Sequence, residues 1–143
     1  MIRINYHTHT FYCDGEGRAE EYVREAVDRG LTALGFSGHT PLPFSNEWTM
    51  SSEGLSRYLP EIEELKSRYA REIEIYLGLE TDYLDRSRNP ATSQARALPI
   101  DYQIGSVHML PDPESGEFYS VDSSPEELDR LLQQVYRGEF PAL

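Results

Sequence analysis

The sequence predicts an α/β fold of parallel strands joined by crossover helices, and three observations point to it. Short apolar runs alternate along the chain with segments of helical period. The 143 residues suffice for one core and are too few for two comfortable ones. No internal repeat or low-complexity stretch suggests a solenoid or a linker.

The elements follow in order. Arg3 to Tyr6 alternates like a strand and leads into His7 and His9. Ala19, Tyr22, Val23, Ala26 and Val27 lie on one helical face, with Gly30 as the stop. Thr32 to Ser37 is a short apolar run between glycines, read as a buried strand that delivers His39. Thr40 to Met50 carries prolines and no period, so it is expected to be a loop beside a site. Leu55, Tyr58, Leu59, Ile62, Leu65 and Tyr69 return to helical spacing, and Pro60 is expected to divide them into two pieces with a bend. Ile73 to Leu79 reads as a strand ending at Glu80, and Tyr102 to Val107 as a strand ending at His108. Pro111 to Glu117 is expected to be an exposed turn. Ser124-Pro125-Glu126-Glu127 is a helix start with capping-box spacing, followed by an apolar face of Leu128, Leu131, Leu132 and Val135, with Gly138 as the end.

A hydrophobic fraction of 38%, with 10 Tyr and 5 Phe, belongs to a folding chain and not to a disordered one. The net charge of −12 argues against nucleic acid, which is held first by Lys and Arg on phosphates. A small anionic substrate stays compatible if bound cations reverse the sign of the potential in one pocket. The N-terminus lacks the layout of a signal peptide, and no apolar run is long enough to span a bilayer. With one cysteine, Cys13, these features point to the cytoplasm.

All four histidines sit at or just past a predicted strand end. In a parallel α/β barrel the loops after the strands gather at one face, so His7, His9, His39 and His108 are expected to converge on one pocket. Imidazoles suit zinc, iron and manganese, and Glu80 is placed to bridge two ions. Taken singly, each residue has an ordinary explanation: a strand-end pair, a loop histidine, or, for Asp14 before Gly15, a turn residue. Together they read as a metal cluster. Cys13 reads as a small buried thiol. Asp82, Asp85 and Asp101 read as solvated or capping carboxylates, with Asp82 near enough to Glu80 to support it. Asn46 and Trp48 are expected to shape the rim that selects substrate, and Ser124 is a cap.

The segments HTHTFYCDG, FSGHTPLP, YLGLETDYL and IGSVHML together resemble the PHP (polymerase and histidinol phosphatase) family of metallo-phosphoesterases. PLPFSNEWTM, YLPEIEELKSRY and EIEIYLGLETDYL resemble its histidinol-phosphatase branch, over roughly residues 2 to 110. The resemblance implies the first half of a distorted (β/α)7 TIM-like barrel, one domain over residues 1–143 that is incomplete at its C-terminus. It also implies a three-metal cluster: His7 and His9 on the first ion, Asp14 and His39 on the second, Glu80 bridging and His108 on the third. The implied activity is hydrolysis of a phosphate monoester, foremost L-histidinol phosphate in histidine biosynthesis, with another small phosphate ester as the alternative substrate. The family pattern continues with a further histidine and an Asp-x-His motif, whereas this sequence has no histidine after His108. The expectation is a truncated chain, or a half-barrel completed by a second copy. A metal-binding module without catalysis is the rival reading.

Overall fold

The structure is a computed structural model that describes residues 3–84, 95, 97–112 and 114–137. Its centre is a sheet of four parallel strands in the order β1 (Ile4–Asn5), β2 (Ala33–Phe36), β3 (Glu74–Asp82), β4 (Tyr102–Ser106). Helix α1 (Ala19–Asp28) connects β1 to β2, and α2 (Ser52–Arg68) connects β2 to β3. Strand order equals chain order, as expected when successive crossovers pack on one face. A hairpin of β5 (Met109–Pro111) and β6 (Phe118–Ser120) follows β4, then α3 (Pro125–Arg130), which runs into a π-helical turn, Leu131–Val135.

Local chemistry sets the ends of these elements. Glu21 accepts a bond from the Arg18 N–H at the start of α1. Gly30, at φ +68°, closes the helix: its N–H reaches Val27 O and that of Leu31 reaches Ala26 O, so a left-handed residue satisfies two terminal carbonyls. Ser51 caps α2 through the Gly54 N–H, and Ser124 caps α3 through the Glu127 N–H. Gly138 and Asp85 lie outside the described residues.

One sheet face is covered by the helices. Val23 of α1, Tyr58 and Ile62 of α2, Phe36 of β2 and Leu77 and Leu79 of β3 are fully buried in one cluster, each burial stabilising by about 1.5–3 kcal/mol. Because strand side chains alternate, Tyr76, Gly78, Glu80 and Asp82 project from the other face of β3. There Tyr6 packs edge-on against Tyr76 and Tyr102, and the Tyr102 hydroxyl reaches the carbonyls of Tyr6 and Phe36.

Two expectations are corrected. Helix α2 runs unbroken through Pro60 and is not two pieces. Pro60 and Ser56, whose carbonyl loses its helical donor, are exposed, while Tyr58, Ile62 and Leu65 hold both sides of the proline on the sheet. Strand β3 does not stop at Glu80 but continues to Asp82, because β4 pairs with it from Gly78 to Asp82. Polar Glu80, Thr81 and Asp82 are buried there, which an apolar pattern does not reveal. Among the described residues, no helix is long and apolar enough to cross a membrane.

Candidate metal centre

The site stands on the C-terminal ends of the strands. His7 and His9 follow β1, His39 follows β2, Glu80 lies near the end of β3, and His108 follows β4. The loop after β2 is tied to β3 by Thr40 N–H to Glu80 O at 2.8 Å and Glu80 N–H to Gly38 O at 3.1 Å, which brings His39 beside Glu80. Asp14 comes from the turn before α1, where the Cys13 and Gly15 N–H groups share Thr10 O. At Gly15 a side chain is excluded, since a Cβ would meet the His9 carbonyl carbon at 2.5 Å.

These side chains surround one cavity of about 390 Å³, which Trp48, Ser120, Asp122 and Ser123 also line. Glu80 Oε2 lies 2.8 Å from His7 Nε2 and 2.9 Å from His9 Nε2, and the two nitrogens are 3.1 Å apart. Donors that each sit about 2.0–2.2 Å from a common ion are separated by roughly this much, so the triangle has the dimensions of a shared coordination sphere. A second group joins His9, Asp14 and His39: His9 Nδ1 is 2.7 Å from Asp14 Oδ1, and His39 Nε2 is 3.6 Å from Asp14 Oδ2. A third joins His39, Glu80 and His108, with His39 Nδ1 at 3.6 Å and His108 Nε2 at 3.4 Å from the carboxylate. His9, His39 and Glu80 each serve two groups.

The buried Nδ1 of His39 supplies the test of fit. It has no hydrogen-bond partner and faces a carboxylate oxygen too far away to bond directly. A cation between them would satisfy both atoms, and the all-nitrogen-and-oxygen donor set suits a divalent transition ion.

Electrostatics agree with this. Burial alone would lower the His9 imidazole, but hydrogen bonds to Cys13 and Asp14 outweigh it and raise the pKa to about 9. Burial works against ionised Asp14, yet its bond to His9 and the nearby histidines pull it below its ordinary value. His39 is pushed down, first by burial, which favours the neutral imidazole that a metal needs. Burial would raise Glu80, but bonds from Ser106 and His7 overcome it and keep the carboxylate ionised.

The geometry therefore brings together His7, His9, Asp14, His39, Glu80 and His108, and sets Trp48 against them, its ring 4.8 Å from that of His39 and 5.5 Å from that of His108. Asn46 is spent differently: its Oδ1 accepts from the N–H groups of Trp48 and Thr49 and its Nδ2 donates to Phe44 O, so it shapes the loop and does not line the cavity. Asp101 pairs with Lys66 and the Leu77 N–H, away from the site. Cys13 is half-buried. Ser106 and the hairpin residues Ser120, Asp122 and Ser123 enter without having been singled out. Their one signal is the turn-rich DPESG between two β-prone triplets, which marks a hairpin that returns the chain to His108.

The sequence pattern of the PHP domain matches residues 5–141. The chain belongs to the PHP domain family. A relative of this PHP chain in Deinococcus radiodurans, named "Probable histidinol-phosphatase", is 35% identical over 107 residues, which is 73% of this chain and 41% of that one. Histidinol-phosphatase of Bacillus subtilis is 27% identical over 162 residues, covering 100% of this chain and 60% of its own length. The crystal structure of histidinol phosphate phosphatase from Lactococcus lactis, complexed with zinc, L-histidinol and phosphate, aligns with a TM-score of 0.66 at 26% identity. That alignment covers 93% of this chain and 51% of the other. The PHP chain thus spans about half the length of the relatives it matches, and its four-stranded parallel sheet is the half-barrel expected of the fold.

Proposed function

We propose that this PHP chain is a metal-dependent phosphate monoester hydrolase acting on L-histidinol phosphate, releasing L-histidinol and phosphate. The carrying observation is the set of three overlapping donor groups around one cavity, joined through His9, His39 and Glu80. The relatives named for this activity support the substrate choice. On this reading the chain is one domain and serves histidine biosynthesis in the cytoplasm.

His7 and His9 would hold one ion, Asp14 and His39 a second and His108 a third, with Glu80 shared between ions and each neutral imidazole giving its single lone pair to one of them; zinc, iron or manganese are the fitting metals. Divalent cations supply positive charge for phosphoryl oxygens and lower the pKa of water toward neutrality. The protein's part is placement. Neutral His39 and ionised Glu80 present lone pairs inward, Ser106 holds Glu80, and Asp82 holds His108 by a 2.8 Å bond to Nδ1 so that Nε2 faces the cavity. Trp48 walls the pocket against water, on a loop that Asn46 ties together.

The test is metal analysis with phosphate release by the full chain, loaded with zinc or manganese and offered L-histidinol phosphate, an aryl phosphate and a nucleotide. The expected outcome is chelator-sensitive release with preference for L-histidinol phosphate. Preference for another ester would change the substrate and keep the reaction class. Bound metal with no release from any ester at high protein concentration would leave a metal-binding module.

A further inference from the structure

Asp122 is a carboxylate in the cavity that the metal cluster does not use. The hairpin puts it there. Strand β5 begins directly after His108, β6 returns beside it, and the Val121 N–H bonds His108 O at 2.9 Å. On the other side Ser123 donates to the Glu127 carboxylate, and Ser124 caps α3 through the Glu127 N–H. The three-residue bend is thus pinned at both ends with Asp122 in its middle. Ser120 Oγ donates to Asp122 Oδ1 at 2.9 Å, and Oδ2 lies 4.0 Å from His108 Nε2. Phe44 stacks on Phe118 at 5.4 Å, which joins the loop that carries Trp48 to the hairpin that carries Asp122. Trp48 and Asp122 are therefore two walls of one cavity on elements that pack together.

Asp122 differs from the cluster carboxylates. Its side chain is 61% exposed where that of Glu80 is 3%, and it is outside the three groups whose donor atoms lie within 4.8 Å of one another. No Lys or Arg lines the cavity among the described residues. A carboxylate in this place repels a phosphate, so its ligand is a cation on the part of the substrate that does not carry phosphorus. Cations in the donor groups would neutralise Asp14 and Glu80 and leave Asp122 as the uncompensated charge of the rim.

We infer that Asp122 is a specificity-determining residue that binds the primary ammonium group of the amino-alcohol phosphate substrate, with Trp48 beside it against the rest of the leaving group. This rests on the function proposed above. It makes the site selective for an amine-bearing phosphate ester over one without the amine.

The experiment compares the metal-loaded full chain with its Asp122→Asn variant, which keeps the acceptor for Ser120. Isothermal titration uses L-histidinol and its deaminated analogue, 4-(3-hydroxypropyl)imidazole, and metal content is measured in parallel. The expected result is at least a tenfold loss of L-histidinol affinity, with the analogue's affinity and the metal content unchanged. Equal loss for both ligands, unchanged L-histidinol affinity, or a fall in metal content overturns the assignment, the last by making Asp122 a metal ligand. If the wild-type chain hydrolyses phosphate esters but binds L-histidinol no better than the analogue, the amine site fails and the phosphatase reading stands. If it hydrolyses no ester and binds neither compound, both fail.

Discussion

Asp82 Oδ1 takes two bonds from His108, one from its backbone N–H at 3.0 Å and one from ring Nδ1 at 2.8 Å. A carboxylate oxygen accepts, so Nδ1 carries the proton and Nε2 is left as the lone pair facing Glu80 Oε1. Asp82→Ala removes this orientation while leaving every donor of the cluster in place. The expected outcome is a loss of roughly 10–100-fold in affinity for the ion at His108, with a smaller loss for Asp82→Asn, which keeps an acceptor. Competition with a graded chelator measures it; unaltered binding in the alanine variant would remove Asp82 from the site.

Glu80 is the acid common to two donor groups, so its substitution should cost more than one ion. In Glu80→Gln the charge disappears and an amide N–H₂ faces the ring nitrogens of His7 and His9. Metal stoichiometry should fall by more than one equivalent, and affinity at what remains by roughly 100-fold or more. Elemental analysis after gel filtration is the check. Retention of the full metal complement would show that the histidines alone hold the ions.

Much of this was legible in the sequence because the signals were local. Each short apolar run pointed to a strand, and each strand pointed to the histidine or glutamate after it. The rest depended on register. That Asp82 meets His108, 26 positions on, follows from the pairing of Asp82 with Ser106, a relation that no periodicity encodes. The hairpin strands are three residues each, too short to show an alternating pattern, so only the turn between them hinted that Ser120, Asp122 and Ser123 come back to the site. Pro60 misled in the other direction, because backbone propensity yields where buried neighbours on both sides hold a helix to a sheet.

Gly78 lies beneath the ring of Tyr102: a Cβ there would sit 2.3–2.7 Å from three ring atoms. Gly78→Ala must displace Tyr102, whose hydroxyl ties the backbone of Tyr6 and Phe36. A loss of about 1–3 kcal/mol in urea unfolding is expected. The double variant Gly78→Ala with Tyr102→Leu should lose less than the sum of the two single losses, since the crowding is already relieved. Strict additivity would mean that the two residues do not touch.

Asp101 clamps β3 to β4 at the place where their pairing begins. Its Oδ2 accepts from the Leu77 N–H and from Lys66 Nζ, both at 2.7 Å, and its own N–H bonds Leu77 O at 2.7 Å. The register that follows, Gly78 with Tyr102 through Asp82 with Ser106, is the one that sets Ser106 against Glu80. Burial opposes ionisation of Asp101, but the bonds from Lys66 and Leu77 win and lower its pKa. Burial likewise opposes charge on Lys66, and Asp101 and Glu63 outweigh it and raise its pKa. The carboxylate's contribution to stability is therefore complete above its unfolded value of 3.8 and is lost as pH falls through the lower folded one. The ammonium's is complete below its unfolded value of 10.5 and is lost as pH rises through the higher folded one. Asp101→Asn should cost about 1 kcal/mol at pH 7, discounted because the side chain is one-third exposed, and the gap from wild type should close as the solution is acidified below the ordinary carboxylate range. Urea midpoints measured from mildly acidic to strongly acidic pH decide it. A gap that stays constant on acidification would mean that the clamp works through shape and not through charge.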